Sequence, residues 1–210
     1  MPNNKNFIVF DIETSGLDPA LGAEIVQISA KTLKYSDYLP IENGSFNCVI
    51  KPQKPEKAEE GALKVIGEDL WKKANTEGLH PKVGLRKFSE FLDSMNPTKK
   101  FWTAPVLVGF NIINFDIPFV KHQMMEYKIL DKGSDPPWSN MQIDMFPLMF
   151  CVFGRDNLKN NKLDTYANLI GLQRATATHD AKEDVNITAE MFQRYMNFMN
   201  FKIRPKIKLK

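Results

Sequence analysis

Phe7-Ile8-Val9-Phe10-Asp11-Ile12-Glu13-Thr14-Ser15-Gly16-Leu17-Asp18-Pro19 begins with four apolar residues, β-branched or aromatic, and then turns acidic. The run from Asn6 to Asp11 predicts a buried strand, and Ser15 to Pro19 supplies turn chemistry after it. The strand therefore ends at an acid. Side chains alternate along a strand, so Asp11 and Glu13 leave from one face. Two carboxylates at that range repel and raise each other's pKa, whereas a hard divalent cation neutralises them. A strand ending in solvated acids would read the same way, so the pair alone decides little.

Outward from this stretch, Glu24 to Ala30 and Ser45 to Ile50 alternate as two further strands, separated by a polar turn at Asn43-Gly44. Together they predict an antiparallel meander. Lys51 to Glu60 is rich in Lys, Pro and Glu and reads as a solvated loop, leading into short helices around Gly61 to Ala74. Leu85, Phe88, Leu92 and Met95 recur at helical spacing. Pro105 to Phe110 predicts a fourth strand, followed by a polar break and a helix from Asp116 through Tyr127. Later helices are expected over Met145 to Phe153 and Lys162 to Ile170. The last one carries Val185, Thr188, Phe192, Tyr195 and Met199 on one face, with Asp180 and Glu183 placed as a capping box. Strands first, then strand and helices mixed, indicate an α/β layer fold around a single mixed sheet flanked by helices.

The 210 residues, 43% of them hydrophobic, suit one domain with a substantial core. Two cysteines, Cys48 and Cys151, are too few for a disulfide framework or a thiolate zinc site. The N-terminal apolar run is cut short by Asp11, which leaves neither a secretory core nor a membrane span there and points to a soluble, cytoplasmic protein. The net charge is +3, yet Lys202, Arg204, Lys206, Lys208 and Lys210 all lie in the last nine residues, so the remainder is slightly acidic. We therefore divide the chain into one domain over residues 1–200 and a basic tail over 201–210. The tail alternates cations with Ile, Pro and Leu. That pattern fits a solvated or edge-strand terminus whose lysines deter aggregation, and it also fits an arm that tracks phosphates.

Chemistry must then come from a site. Asp116 follows the second apolar strand, where capping the helix would itself explain an aspartate ahead of Ile117-Pro118. His179 and Asp184 flank the start of the last helix and can overlook one site, although a structural histidine and a dipole-compensating acid would look alike. Asp144 precedes a helix and reads as its cap.

The order Asp-x-Glu, Asp, His-x4-Asp, with each member at the end of an apolar strand or in the first turn of a helix, resembles the DEDDh family of 3′–5′ exonucleases. This family includes proofreading epsilon subunits, RNase T, oligoribonuclease and exonuclease I. The resemblance rests on Phe10 to Leu17, on Gly109-Phe110-Asn111 leading to Phe115-Asp116-Ile117, and on His179 to Val185, and it covers residues 6 to 196. It implies an RNase H-like fold. It also implies that Asp11, Glu13, Asp116 and Asp184 hold two divalent ions, Mg²⁺ or Mn²⁺, with His179 as general base. Ile12, Thr14, Leu17, Asn111 and Phe115 would meet the 3′-terminal nucleotide, Phe115 being equally readable as a core aromatic. The implied activity is hydrolysis from the 3′ end of single-stranded nucleic acid, DNA slightly ahead of RNA, releasing nucleoside 5′-monophosphates. An exoribonuclease and a non-catalytic nucleic-acid-binding module are the alternatives. None of the five central residues is missing, which speaks against the second. An aspartyl-nucleophile phosphohydrolase wants Asp-x-Asp-x-Thr, and Glu13 stands at the third position. Phe110 stands where proofreading members often carry histidine, and Ile66-Gly67-Glu68 where they often carry His-Gly-Ile, so the subfamily stays open. A polymerase partner and a homodimer are both compatible with the family.

Overall fold

The computed structural model describes residues 5–96, 98–154, 158–175 and 178–203, the last three by backbone alone. Strands β1 (Phe7–Thr14), β2 (Ile25–Leu33), β3 (Pro40–Val49), β4 (Val106–Gly109) and β5 (Gln142–Asp144) form one sheet in the order β3-β2-β1-β4-β5. β1 pairs antiparallel with β2 and parallel with β4, so the expected meander and mixed sheet are both present. Central β1 is paired on both edges and apolar on both faces. Its even residues Ile8, Phe10 and Ile12 join one core with α2 (Pro81–Ser94) and α3 (Asp116–Glu126). Its odd residues Phe7 and Val9 join a second core with α4 (Met145–Phe153), α5 (Leu163–Leu169) and α6 (Ala181–Ile203). α1 (Glu60–Glu77) lies over β2 through Ile66 and Ala74 against Val26.

Four expectations need correction. β1 does not end at Asp11: pairing with β2 carries on through Asp11–Ser29, Ile12–Ile28 and Glu13–Gln27, so both acids sit inside the strand. Its ladder outlasts the apolar run because backbone hydrogen bonds do not depend on side-chain polarity. The β2–β3 turn is not at Asn43-Gly44 but at residues 35–38, closed by Lys34 N donating to Leu39 O and by Tyr38 in the left-handed region. Asn43, at φ +56°, lies inside β3, where the register slips opposite Lys31 and Leu33. The turn chemistry there makes a bulge. The short helices over 61–74 are one helix, kinked at Gly67, whose φ of +80° only glycine adopts without strain. The three-residue β5 is too short to have a period and was not expected from sequence. Of the tail expected over 201–210, the backbone of 201–203 continues α6, while 204–210 lie outside the described residues, as do the side chains of 201–203.

Candidate metal centre

Alternation on β1 places Asp11 and Glu13 on the face that carries Phe7 and Val9, toward α6. Beyond β4 the chain doubles back tightly. A Cβ on Gly109 would stand 2.1 Å from Ile112 Cγ2 and 2.9 Å from the carbonyl oxygen of Phe10, so only glycine permits this approach to β1. Asp144, at the end of β5, shapes the same turn: its carboxylate accepts from Asn111 N (2.7 Å) and Ile113 N (3.2 Å) and caps α4 through Phe146 N (3.0 Å). The expected cap is present, and it organises the β4–α3 turn as well.

Asp116 does not cap α3 with its side chain. It is the first helical residue, after Phe115, and its carboxylate accepts the β1 backbone N–H of Ile12 at 3.1 Å. The carboxylate also takes a hydrogen bond from its own backbone N–H, and it lies near enough to β1 for its charge to act on Asp11. On the other side, Asp180 caps α6 through Lys182 N (2.8 Å) and Glu183 N (3.2 Å). The expected reciprocal box is absent in its second half, because the Glu183 carboxylate accepts from Ala175 N. His179 and Asp184 flank this helix start, with Nδ1 of His179 3.3 Å from Asp184 Oδ2. Oxygens of Glu13 and Asp184 and a ring nitrogen of His179 all lie within 4.8 Å of one another.

Burial makes these charges costly. Glu13, Asp116 and Asp184 are all buried. The Glu13 carboxyl is pushed up to about 8, by burial first and then by the charge of Asp184, with Arg174 working against the shift. Asp116 rises to about 7, by burial, despite the hydrogen bond from Ile12 N, with Asp144 and Asp184 adding to the rise. Asp11 is also raised well above the usual carboxylate range, by burial and then by Asp116, Asp184 and Glu13. Inward-facing carboxylates that cannot all ionise together suit a hard divalent cation, which needs oxygen donors and cancels the repulsion. The donor set fits such an ion.

Of the five central residues, Glu13, Asp184 and His179 bring donor atoms within 4.8 Å of one another, while Asp11 inside β1 and Asp116 at the start of α3 join them through their charges. The residues expected at the terminal nucleotide are more dispersed in role. Ile12 packs its side chain into the α2–α3 core. Thr14 is buried and donates to the Gly16 carbonyl at 2.7 Å. Leu17 is 72% exposed, its N–H held by Glu59 Oε1 at 3.0 Å. Asn111 is half-buried at φ +63°, and Phe115 leans on Phe119 at the border of the core. A groove of about 680 Å³ with a mixed polar and apolar lining, in which Lys73 and Lys182 stand with the acids Glu68, Asp69, Asp180 and Glu183, includes His179 in its wall.

Two residues at this site escaped the sequence reading. Gln27 is buried on β2; its Oε1 accepts Ala181 N at 3.2 Å and its Nε2 donates to Asn47 Oδ1 at 3.0 Å, which ties the start of α6 to the sheet. A glutamine between Val26 and Ile28 in an apolar strand was the available signal. Arg174 pairs with Asp184 Oδ1 and with Asp164 Oδ1, the latter at 3.1 Å, with its side chain only 7% exposed. It stands in a polar connection without pattern, and nothing marked it.

The exonuclease family model RNase_T matches residues 8–192. A DNA polymerase III subunit epsilon-like protein of Rhodobacter capsulatus is 29% identical over 191 residues, covering 90% of this chain and 23% of that protein. A PolC-type DNA polymerase III of Caldanaerobacter subterraneus subsp. tengcongensis is 31% identical over 186 residues, covering 89% and 11%. Among solved structures, E. coli exonuclease I in complex with a dT13 oligonucleotide superposes with a TM-score of 0.74 at 17% identity, over 95% of this chain and 43% of that one. That likeness establishes the RNase H-like fold. The chain spans less than a quarter of these two curated relatives and under half of the structural neighbour.

Proposed function

The chain belongs to the RNase_T exonuclease family, among its DEDDh 3′–5′ exonucleases, and from that premise we propose that it hydrolyses phosphodiester bonds from the 3′ end of single-stranded DNA, releasing nucleoside 5′-monophosphates. The observation that carries this reading is the clustering of donor atoms of Glu13, Asp184 and His179 within 4.8 Å of one another, with Asp11 and Asp116 near enough for their charges to act on each other and on that of Asp184. Asp11, Glu13, Asp116 and Asp184 would hold two divalent cations, Mg²⁺ or Mn²⁺, which when bound polarise the scissile phosphate, promote ionisation of the attacking water and stabilise the departing 3′-oxygen.

His179 takes the proton of the attacking water. Its Nδ1 faces the Asp184 carboxylate, so a neutral ring keeps its hydrogen on that side and leaves Nε2 free to accept. Gln27 and Asp180 hold the start of α6, and with it His179 and Asp184, in register with Glu13. The tight turn at Gly109 keeps Asp116 on β1. Exposed Leu17 and the groove beside His179 offer surfaces for the terminal nucleotide and the strand behind it. The oligonucleotide complexes of E. coli exonuclease I and the polymerase names of the relatives support DNA over RNA. Residues 1–200 form the exonuclease unit in this reading, in line with the span of the family match.

No helix among the described residues is long and apolar enough to cross a membrane. The deciding experiment incubates 5′-labelled single-stranded DNA, single-stranded RNA and duplexes with recessed or protruding 3′ ends with the protein, with Mg²⁺, Mn²⁺ or a chelator. The expected result is a metal-dependent ladder shortening from the 3′ end, fastest on single-stranded DNA. Faster loss of RNA would make the protein an exoribonuclease. No metal-dependent shortening would make it a binding module.

A further inference from the structure

Helix α4 has no charged or hydrogen-bonding side chain from Met145 to Phe153, yet it buries only Met145 and Met149. A helix that is apolar all round is normally enclosed all round. Here Phe150, Val152 and Phe153 stay exposed, Val152 by 57%. Val152 and Phe153 face the stripe of α6 formed by Met191, Arg194, Tyr195 and Phe198 across an apolar groove of about 250 Å³, and no residue of that groove belongs to the metal centre. Small-molecule pockets start at roughly 300 Å³ and carry several placed polar groups. This groove is smaller, and the charge of Arg194 is already taken by Glu190 and by the Ile170 carbonyl. It suits an apolar segment of chain.

We propose that Pro205-Lys206-Ile207-Lys208-Leu209-Lys210 of the same chain lies back along α6, with Ile207 and Leu209 in this groove and the three lysines toward water. The backbone of α6 runs to Ile203. Pro205 lacks an N–H and disfavours the helical conformation at Arg204, so the chain turns off the helix there. At about 1.5 Å of rise per helical residue, Phe198 stands ~7.5 Å and Tyr195 ~12 Å back from Ile203. At about 3.3 Å per extended residue, Ile207 and Leu209 stand ~7 Å and ~13 Å beyond Pro205, which brings them level with those two rings. Residues two apart in an extended segment share a face, so both aliphatic side chains can enter together. Charge agrees with this occupant. Val152 and Phe153 end α4, whose last turn has no basic residue of its own, and a helix C-terminus favours cations over acids. Because the link is so short, the segment meets the groove at an effective concentration in the millimolar range, ahead of a second copy or a free partner.

Trypsin reads the docking, since it cuts after Lys206 and Lys208 only when the segment is free to enter its active site. The full chain is digested beside a synthetic peptide of residues 199–210, and loss of residues 207–210 is followed by intact mass. The native chain should be cut at least about ten-fold more slowly than the peptide, a protection that burial of two aliphatic side chains supports. Val152→Asp sits at an exposed position and leaves the cleavage sites untouched; a charge in the groove should abolish docking and speed cleavage by about ten-fold. Nearness to α6 slows trypsin equally in both chains, so their difference reports the groove. Ile207→Ser combined with Leu209→Ser should lose the same protection, measured against a peptide with those two changes, and decides the matter if Val152→Asp does not fold. Equal rates in the native chain and Val152→Asp, or protection kept in the double serine variant, overturn the proposal. Protection that grows with protein concentration, with a dimer in sedimentation, gives the groove to a second copy and overturns it too.

Discussion

Asp116 and Glu13 are buried acids whose charged forms the metal-free fold disfavours. Asp116→Asn keeps an oxygen to accept the Ile12 N–H and removes one charge from the cluster. Turnover should vanish while the metal-free protein melts higher, by about 2–4 °C per kcal/mol of repulsion relieved. Melts in chelator and in Mn²⁺ check both halves, and full activity in the variant would remove Asp116 from the site. The raised pKa values also fix a pH dependence. Between its ordinary carboxylate pKa and about 7 for Asp116 or about 8 for Glu13, the folded chain retains a proton that the unfolded chain has released. The contribution of these two acids to the stability of the metal-free protein is therefore greatest below the ordinary carboxylate range, falls as pH rises through this window, and levels off above it. Mn²⁺ binds the deprotonated acids, so its stabilising shift should grow from pH 5 to pH 8. A shift independent of pH would contradict the assignment of these acids. His179→Ala should slow the chemical step by about 10² to 10⁴-fold, with part of the rate recovered at high pH and Mn²⁺ affinity little changed. A native pH–rate profile in that variant would deny the base its role.

At the scale of elements, the site depends on how α6 is seated on the sheet. Gln27→Leu strands the buried N–H of Ala181, which should cost about 1–3 kcal/mol. Because His179 and Asp184 move with that helix start, kcat should fall more than KM rises. Gln27→Glu can still accept from Ala181 N and should keep more of the stability, though it adds a charge beside Glu13. Equal activity in Gln27→Leu and the native chain would make the clamp purely structural. The seating itself was not readable from sequence. Period and turn chemistry located four of the five strands and most helix bounds, and it set Asp11, Glu13, Asp116, His179 and Asp184 apart as candidates. They did so because buried faces repeat at regular intervals and because acids stand out after apolar runs. β5 was missed because three residues carry no period. Asn43-Gly44 misled because the same dipeptide serves a bulge as well as a hairpin turn, and only pairing across to Lys31 and Leu33 distinguishes them. Gln27 and Arg174 act across 154 and 10 residues of chain respectively, through partners that no local pattern encodes.

Over the whole molecule, charge is uneven in a way that bears on a polyanionic substrate. The sheet is covered on both faces, and the centre between the two cores is acidic. Divalent ions would offset that field locally, but the strand behind the terminal nucleotide still has to pass a body that is slightly acidic outside its last nine residues. Lys202, Arg204, Lys206, Lys208 and Lys210 are the densest cationic stretch in the chain. If they contact phosphates, each releases counterions from the single strand. Replacing all five with glutamine should then flatten the log-log salt dependence of single-strand binding by up to about 3.5, at roughly 0.7 per contact. Substitution rather than deletion leaves the length of α6 unchanged. An arm of this kind acts on capture and not on bond cleavage, so KM should rise while kcat at saturation stays near native. Binding measured by fluorescence anisotropy across a salt series, beside steady-state kinetics on the same oligonucleotide, reads both quantities. An unchanged slope and KM would leave the tail with the other role its alternation allows, a terminus whose lysines keep it from pairing with a neighbouring chain.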